Sequence, residues 1–361
     1  MKSCFKLIVL FFSISLFISC GNADDDVNFG LNTGGDLGEG APVDECLDLG
    51  ENELVLSIQD QYTTEPGKVS VFFKVSDLDG KPVPGLTADE FTIYEQGQND
   101  ACFNTISKSE ANSRISPNSQ IFSNNTLLVL DLSASVLTTS LEELKTASAS
   151  FVQNVMPVTT DESFKMAIYW FDGEDILHEL NPLTADKAEL TAAIESITVN
   201  ISEDVSTDLY GAVIRSTDIA SALLAQSTEG EKIGAASVVI FTDGTDQASR
   251  YTLDAAQRKV DTANPNISFF TIGLGGEIDT QVLTDIGKTS SVVANNKEEL
   301  ETTFNNISEL VSRRASSFYL FEYCSPKRSG DNNLAIQVRT DGAQGAVQTK
   351  FNANGFSGGC E

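Results

Sequence analysis

Five side chains with oxygen donors stand at three points of the chain where strands should end or helices should begin. Asp131, Ser133 and Ser135 form a D-x-S-x-S motif directly after the apolar run LLVL. Thr207 precedes an apolar helical pattern, and Asp243 follows the run SVVIFT in the triplet TDG. None of the five offers sulfur or imidazole, so the set suits a hard divalent cation such as Mg²⁺, with Mn²⁺ or Ca²⁺ as substitutes.

Such a site would leave room for a ligand from outside the chain. Only two of the five donors are carboxylates, so a bound divalent cation stays electrophilic. The hydroxyl groups cannot complete an octahedron without water or another ligand. An Asp or Glu carboxylate from a partner protein fits the open position.

The elements around these residues indicate an α/β fold. Short apolar strands alternate with amphipathic helices from about 124 to 314, the pattern of a doubly wound, mostly parallel sheet buried on both faces. We predict helices over 140–156, 185–197, 208–226, 252–263 and 297–314. Ligands bind such sheets beyond the carboxyl ends of the strands, which is where the five side chains should meet.

Residues 124–314 resemble a von Willebrand factor type A domain with a metal-ion-dependent adhesion site. A lone D-x-S-x-S motif is a weak signal, whereas the motif, the threonine and TDG in this order are much more specific. In that family the two serines and the threonine coordinate the metal, and the aspartates usually act through water. One departure is Val205-Ser206 before the threonine, where many members have glycines.

Four further residues near these motifs are weaker candidates for a role in the metal site. Asp208 and Asp246 are either additional ligands or, more often in such positions, residues that cap a helix or hold a loop. Asp172 follows a strand and is expected to shape the rim of the site. His178 is the only histidine of the chain and is expected on the surface or in a loop.

The segments on both sides of the α/β region look like β-structure. Within 51–115, polar and apolar residues alternate between turn signals, as in a small β-sandwich. The stretch DGKPVPGLTADEFTIYEQG resembles the β-module that precedes type A domains in several bacterial surface proteins. Residues 316–361 return to a strand pattern. Either the α/β domain of 122–315 is inserted into one sandwich built by both flanks, which we favour, or two β units lie in series.

The N-terminus has the layout of a bacterial lipoprotein signal. Residues 1–19 combine two early lysines with an apolar run, and a small residue stands directly before Cys20. We predict that Cys20 is lipidated and that 20–50, rich in Gly, Asn and Asp, forms a flexible tether. The acidic run 24–26 resembles an export signal of some Bacteroidetes surface lipoproteins, which predicts an outer-membrane lipoprotein exposed at the cell surface.

Four cysteines remain outside the signal region, at 46, 102, 324 and 360. In an oxidising compartment they can form disulfides, either between the two flanks or within one flank. We predict Cys102–Cys324 and Cys46–Cys360.

Charge and missing motifs exclude several functions. The chain of 361 residues carries 23 Lys+Arg against 52 Asp+Glu, a net charge of −29, which disfavours nucleic acids and leaves a lipid anchor as the only contact with the membrane. One histidine excludes His triads and multi-His zinc sites. The P-loop and HExxH motifs are absent from the sequence, so we predict a protein that is not an enzyme. Metal-dependent adhesion is the favoured function, and a scaffold in an envelope complex is the alternative.

Overall fold

The computed structural model describes residues 43–116, 122–229, 233–276 and 278–359. The predicted signal peptide, Cys20 and Cys360 lie outside these residues, as does most of the predicted tether. The strands are β1 Leu54–Thr64, β2 Lys68–Asp77, β3 Phe91–Gln96, β4 Asn104–Ile106, β5 Arg114–Ser116, β6 Phe122–Asp131, β7 Phe164–Phe171, β8 His178–Thr184, β9 Ile233–Thr242, β10 Ile267–Leu274, β11 Ser290–Ala294, β12 Phe318–Cys324, β13 Asp331–Arg339 and β14 Gln344–Asn352. The helices are α1 Lys108–Ala111, α2 Ala134–Thr139, α3 Leu141–Val155, α4 Lys187–Glu195, α5 Leu209–Glu229, α6 Leu253–Asp261, α7 Thr280–Ile286 and α8 Leu300–Ala315.

One sheet has the order β11-β10-β9-β6-β7-β8 and is parallel except for β8, which runs antiparallel to β7. The chain moves outward from β6 to β7 and then returns to start the other half of the sheet at β9. The order therefore reverses between the neighbours β6 and β9, and their carboxyl ends form the crevice where such sheets bind ligands. The α/β class predicted from the sequence is confirmed.

Helices cover both faces of this sheet because its central strands are apolar on both sides. Leu128 and Leu130 of β6 face a core that includes residues of α3, α4 and α8. Leu127 and Val129, which point the opposite way, face residues of α5, α6 and α7. Burying each side chain of this size contributes roughly 1.5–3 kcal/mol, so the two cores hold the strand ends in a fixed arrangement.

The remaining strands form two antiparallel sheets, each of which contains strands from before and after the α/β region. Their orders are β1-β2-β12-β5 and β14-β13-β3-β4. In the first, β12 lies beside β2, and in the second, β13 lies beside β3. Side chains from both sheets share one apolar core, with Phe73 and Phe321 from one sheet and Phe91 and Ile336 from the other. The α/β region is thus enclosed in the chain between strands of the same sandwich.

Both predicted disulfides are wrong. Cys46 is bonded to Cys102, with their Cα atoms 5.9 Å apart, so neither cysteine is available to the predicted partner. Cys324 is also disulfide-bonded. The N-terminal segment before β1 lies against the second sheet, where the Gln344 side chain on β14 donates to the Leu49 carbonyl oxygen at 2.7 Å. That path brings Cys46 to the turn that contains Cys102, whereas strand pairing joins the two flanks.

Candidate metal centre

The first part of the candidate site is the turn between β6 and α2. Asp131 is the last residue of β6, and its Oδ1 accepts a hydrogen bond of 3.0 Å from the Ser133 amide. This bond turns the chain so that Ser133 stands immediately before α2 and Ser135 lies in its first turn. The two serine hydroxyls are 3.2 Å apart and hydrogen-bonded. Three of the predicted donors therefore face one small volume.

The end of β9 adds the second carboxylate. Asp243 follows the last residue of β9, and its Oδ1 accepts a hydrogen bond of 3.1 Å from the Ser135 hydroxyl. The neighbouring Thr242 hydroxyl donates to Asp131 Oδ2 at 2.7 Å. Because β6 and β9 are adjacent and parallel, both carboxylates meet at the crevice where the strand order reverses.

Thr207 belongs to a loop that is held against both of these turns through the backbone. The Ala134 amide donates to the Asp204 carbonyl oxygen at 3.0 Å, which joins the loop to the start of α2. The Thr207 carbonyl oxygen accepts from the Gln247 amide at 2.8 Å, which joins it to the loop after β9. Thr207 is buried, and its loop is hydrogen-bonded to both turns that carry the other four residues.

The electrostatics of the site fit a cation. Asp131 is completely buried, and burial, with a smaller contribution from the nearby Asp243 charge, raises the pKa of Asp131 to about 6. The described hydrogen-bond donors to Asp131 are an uncharged hydroxyl and an uncharged amide. Ser135 is exposed, so solvent or an external ligand can reach the cluster. A buried carboxylate beside a second one is stabilised by a positive charge, and oxygen donors are the ligands that Mg²⁺ prefers.

Asp208 and Asp246 hold loops together. Asp208 Oδ1 accepts from the Gly211 amide at 3.2 Å, and its Oδ2 lies 3.1 Å from Arg215 Nη1. Asp246 Oδ1 accepts from the Tyr210 amide at 3.1 Å. These contacts match the capping and loop-holding role that the sequence also allowed for both residues.

The turn after β7 supplies a feature that the sequence analysis missed. His178 is the first residue of β8 and stacks on Trp170, whereas the sequence placed it on the surface or in a loop. Asp172 and Glu174 lie close to it, and the three residues form a group with potential metal ligands. The spacing D-x-E-x₃-H was the signal in the sequence. It indicates a group of ligands only because β7 and β8 pair and bring the three side chains together.

Similarity to known proteins identifies the family. The model of the von Willebrand factor type A domain matches residues 125–312, slightly more than half of the chain. The chain belongs to this family. A comparison with curated proteins finds no match.

Solved structures resemble this chain at low sequence identity. Proximal thread matrix protein 1 from the mussel byssus is 15% identical over 53% of this chain and 49% of its own, with a TM-score of 0.44, so the match spans about half of that protein. The conserved hypothetical protein BatB from Bacteroides thetaiotaomicron is 18% identical over 54% and 99% of the two chains, with a TM-score of 0.41. A von Willebrand factor type A protein from Catenulispora acidiphila is 10% identical over 84% and 74%, with a TM-score of 0.44.

In the part of the chain that the structure describes, no helix combines the length and the apolar character needed to cross a bilayer.

Proposed function

We propose that the protein binds a partner protein through a divalent cation held by Asp131, Ser133, Ser135, Thr207 and Asp243. The observation that carries this proposal is the cluster at the crevice between β6 and β9, where two carboxylates and two serines are linked by hydrogen bonds of 3.0 to 3.2 Å. Mg²⁺ is the cation that this set of donors fits best, and Mn²⁺ and Ca²⁺ can replace it.

The exposed side of the cluster is the place for the partner. Ser135 is exposed and Asp243 is half-buried, so a cation held there would face solvent on that side. An Asp or Glu carboxylate of the partner completes the coordination and neutralises the remaining charge. The metal acts in recognition, and the protein is not an enzyme.

We further propose that the protein works at the cell envelope. Lipidation of Cys20 would attach it to the outer membrane, and the acidic tether would hold the folded region away from the surface. Adhesion is the favoured role, and assembly within an envelope complex is the alternative. Metabolic labelling with a radioactive fatty acid tests the anchor: we expect label in the parent and none in Cys20→Ala. Label retained in that variant would contradict the anchor.

The metal site is tested by calorimetric titration of Mg²⁺ and Mn²⁺ into the protein. In Ser133→Ala/Asp243→Asn we expect the affinity to fall by at least about 100-fold, because a direct hydroxyl ligand and a carboxylate charge are lost together, whereas loss of a supporting residue alone weakens metal sites about 10–100-fold. Asp254→Asn is the matched control because it removes one carboxylate from an exposed ion pair on α6. Equal affinity of the double variant and the parent would refute the site.

A further inference from the structure

A second group of potential metal ligands lies in the turn between β7 and β8. Asp172, Glu174 and His178 each offer one ligand atom, and these three atoms lie within 4.8 Å of one another. The turn leaves β7 directly beside β6 but is separate from the residues of the first site. Its donor set also differs, since it contains an imidazole in addition to two carboxylates.

The imidazole is held in place and lacks a hydrogen bond on the side that faces the carboxylates. Trp170 and His178 are paired across β7 and β8, and their rings stack with centroids 3.9 Å apart and planes 10° apart. His178 Nε2 is buried and has no hydrogen-bond partner among the described residues. The nearest carboxylate oxygen, Glu174 Oε2, is 3.7 Å away, beyond the length of a hydrogen bond. A buried nitrogen without a partner is unfavourable unless something else binds it.

Asp172 is held equally firmly. Its side chain is only 3% exposed, and its Oδ1 accepts from the Glu174 amide at 2.8 Å. Its Oδ2 accepts a short hydrogen bond from the Ser202 hydroxyl. Gly173 permits this close turn, because a Cβ there would lie 1.8 Å from the Ser206 hydroxyl oxygen. Two of the three donors are thus oriented by the fold before any ion binds.

We propose that Asp172, Glu174 and His178 bind a transition-metal ion of the Zn²⁺ class. One imidazole with two carboxylates is a donor set that suits such ions, and water completes a tetrahedron. Bonds of about 2.0–2.2 Å at tetrahedral angles place ligand atoms roughly 3.3–3.6 Å apart, so three atoms that lie within 4.8 Å of one another need to close by up to about 1 Å. Glu174, with 57% of its side chain exposed, is free to make that movement.

This second site is attached to the first through the backbone. The Asp172 carbonyl oxygen accepts from the Asp208 amide at 2.8 Å, and Asp208 directly follows Thr207. The Phe171 carbonyl oxygen accepts from the Leu132 amide at 2.9 Å, next to Asp131. An ion in the turn therefore braces both segments that carry the first site.

The composition of the chain makes the site directly observable. The sequence contains one histidine and one tryptophan, and these are the two stacked rings. We would label the full chain with ¹³C,¹⁵N-histidine, use a purification tag without histidine, and titrate Zn²⁺ and then Mg²⁺. We expect one equivalent of Zn²⁺ to shift the single imidazole signal and change the Trp170 fluorescence, whereas Mg²⁺ leaves both unchanged.

Two variants separate this site from its alternatives. The titration is repeated in Ser133→Ala/Asp243→Asn. Zn²⁺ should still shift the imidazole signal in this variant, because the second site binds its ion independently of the first. Glu174→Gln should weaken Zn²⁺ binding by at least about tenfold. Glu179→Gln is the matched control, since Glu179 lies next to His178 but contacts the Tyr169 hydroxyl instead.

Three outcomes would overturn the proposal. An imidazole signal that stays unmoved at millimolar Zn²⁺ would mean that Asp172, Glu174 and His178 hold no ion. A shift that disappears in Ser133→Ala/Asp243→Asn would assign the Zn²⁺ to the first site. If Glu174→Gln and Glu179→Gln weakened Zn²⁺ binding equally, the effect would come from the loss of a negative charge near His178 and not from the loss of a ligand. Because Glu174 is largely exposed, its substitution tests the site without endangering the fold.

Discussion

The carboxylate at the end of β6 and the carboxylate within β12 are both buried, yet their surroundings differ in charge. Asp131 is 0% exposed and Glu322 is 5% exposed. Asp131 accepts hydrogen bonds from a hydroxyl and an amide. Glu322, in the sandwich, lies 2.9 Å from Lys68 Nζ and 2.8 Å from Arg114 Nη2.

The difference separates a buried carboxylate that its neighbours neutralise from a buried carboxylate that is prepared for an external charge. In the sandwich, two cations and a hydroxyl satisfy Glu322, and the result is a closed structure. At the crevice of the α/β sheet, the neighbour of Asp131 is a second carboxylate, which raises its pKa further. A buried acid surrounded in this way is an expected feature of a binding site and an unexpected feature of a structural core.

The largest effect on stability is expected from the Cys46–Cys102 disulfide. Cys46 and Cys102 are 56 positions apart. Without the bond the unfolded chain regains the freedom of a loop of that length, which lowers the free energy of unfolding by about 4 kcal/mol in the chain-entropy description. We expect Cys46→Ser/Cys102→Ser to lower the free energy of unfolding by about that amount in urea titrations followed by circular dichroism. Mg²⁺ affinity should stay unchanged. A loss below about 1 kcal/mol would show that the sandwich does not depend on this bond.

A smaller loss is expected when the charge of Glu322 is removed. Glu322→Ala leaves Lys68 and Arg114 without their shared carboxylate, but these side chains are 30% and 63% exposed and can be hydrated. We therefore expect a loss of about 2 kcal/mol, less than the cost of breaking a fully buried pair. Glu322→Gln is the control that keeps the shape and the hydrogen bond from Ser70. An unchanged free energy of unfolding in Glu322→Ala would contradict the structural role.

The same contrast exists between two lysines of β2. Lys68 has Glu322, whereas Lys74 has the cation Arg314 nearby, and burial followed by that charge lowers the pKa of Lys74 to about 8. Below pH 8 both the folded and the unfolded chain hold the proton, so the folded state bears the full cost of the buried charge. Between pH 8 and about 10.5 the folded state loses the proton first, and stability contributed by this group rises with pH.

We expect Lys74→Met to raise the free energy of unfolding at pH 7 by about 1 kcal/mol, with a gain that shrinks as the pH approaches 10. Urea titrations at a series of pH values measure it. Lys68→Met is the matched control and should destabilise, since it removes an ion pair from Glu322. A gain in Lys74→Met that is independent of pH would mean that packing, and not charge, produces it.

Most elements of the α/β region could be predicted from the sequence because their signals are local. Continuous apolar strands between amphipathic helices indicate a parallel sheet, and five of its helices were expected close to their observed positions. The short helices α2 and α7 were missed because one or two turns give too little periodicity. Strand β8 was missed because Asn181-Pro182 interrupts its pattern, and with it the pairing that places His178 on Trp170.

The sequence could not predict which segments far apart in the chain lie beside one another. The disulfides were wrong because spacing does not reveal that the segment before β1 lies against the second sheet and reaches Cys102. Asp131, Ser133, Ser135 and Asp243 could be expected at one place because parallel strands end at one edge. The cation itself stays a prediction.

The smallest effect on stability is expected when Asp131 is replaced. In the presence of a chelator, Asp131→Asn should change the free energy of unfolding by less than about 1 kcal/mol, because the amide retains the shape and removes a buried charge that nothing described neutralises. Mg²⁺ at 100 times its dissociation constant should stabilise the parent by about 2.7 kcal/mol but should barely stabilise the variant. Thermal unfolding with and without Mg²⁺ measures both, with Asp254→Asn as the charge-matched control. If Asp131→Asn instead destabilised the metal-free protein as strongly as Glu322→Ala, the two buried carboxylates would share one structural role, and the distinction between a closed region and a binding region would be lost.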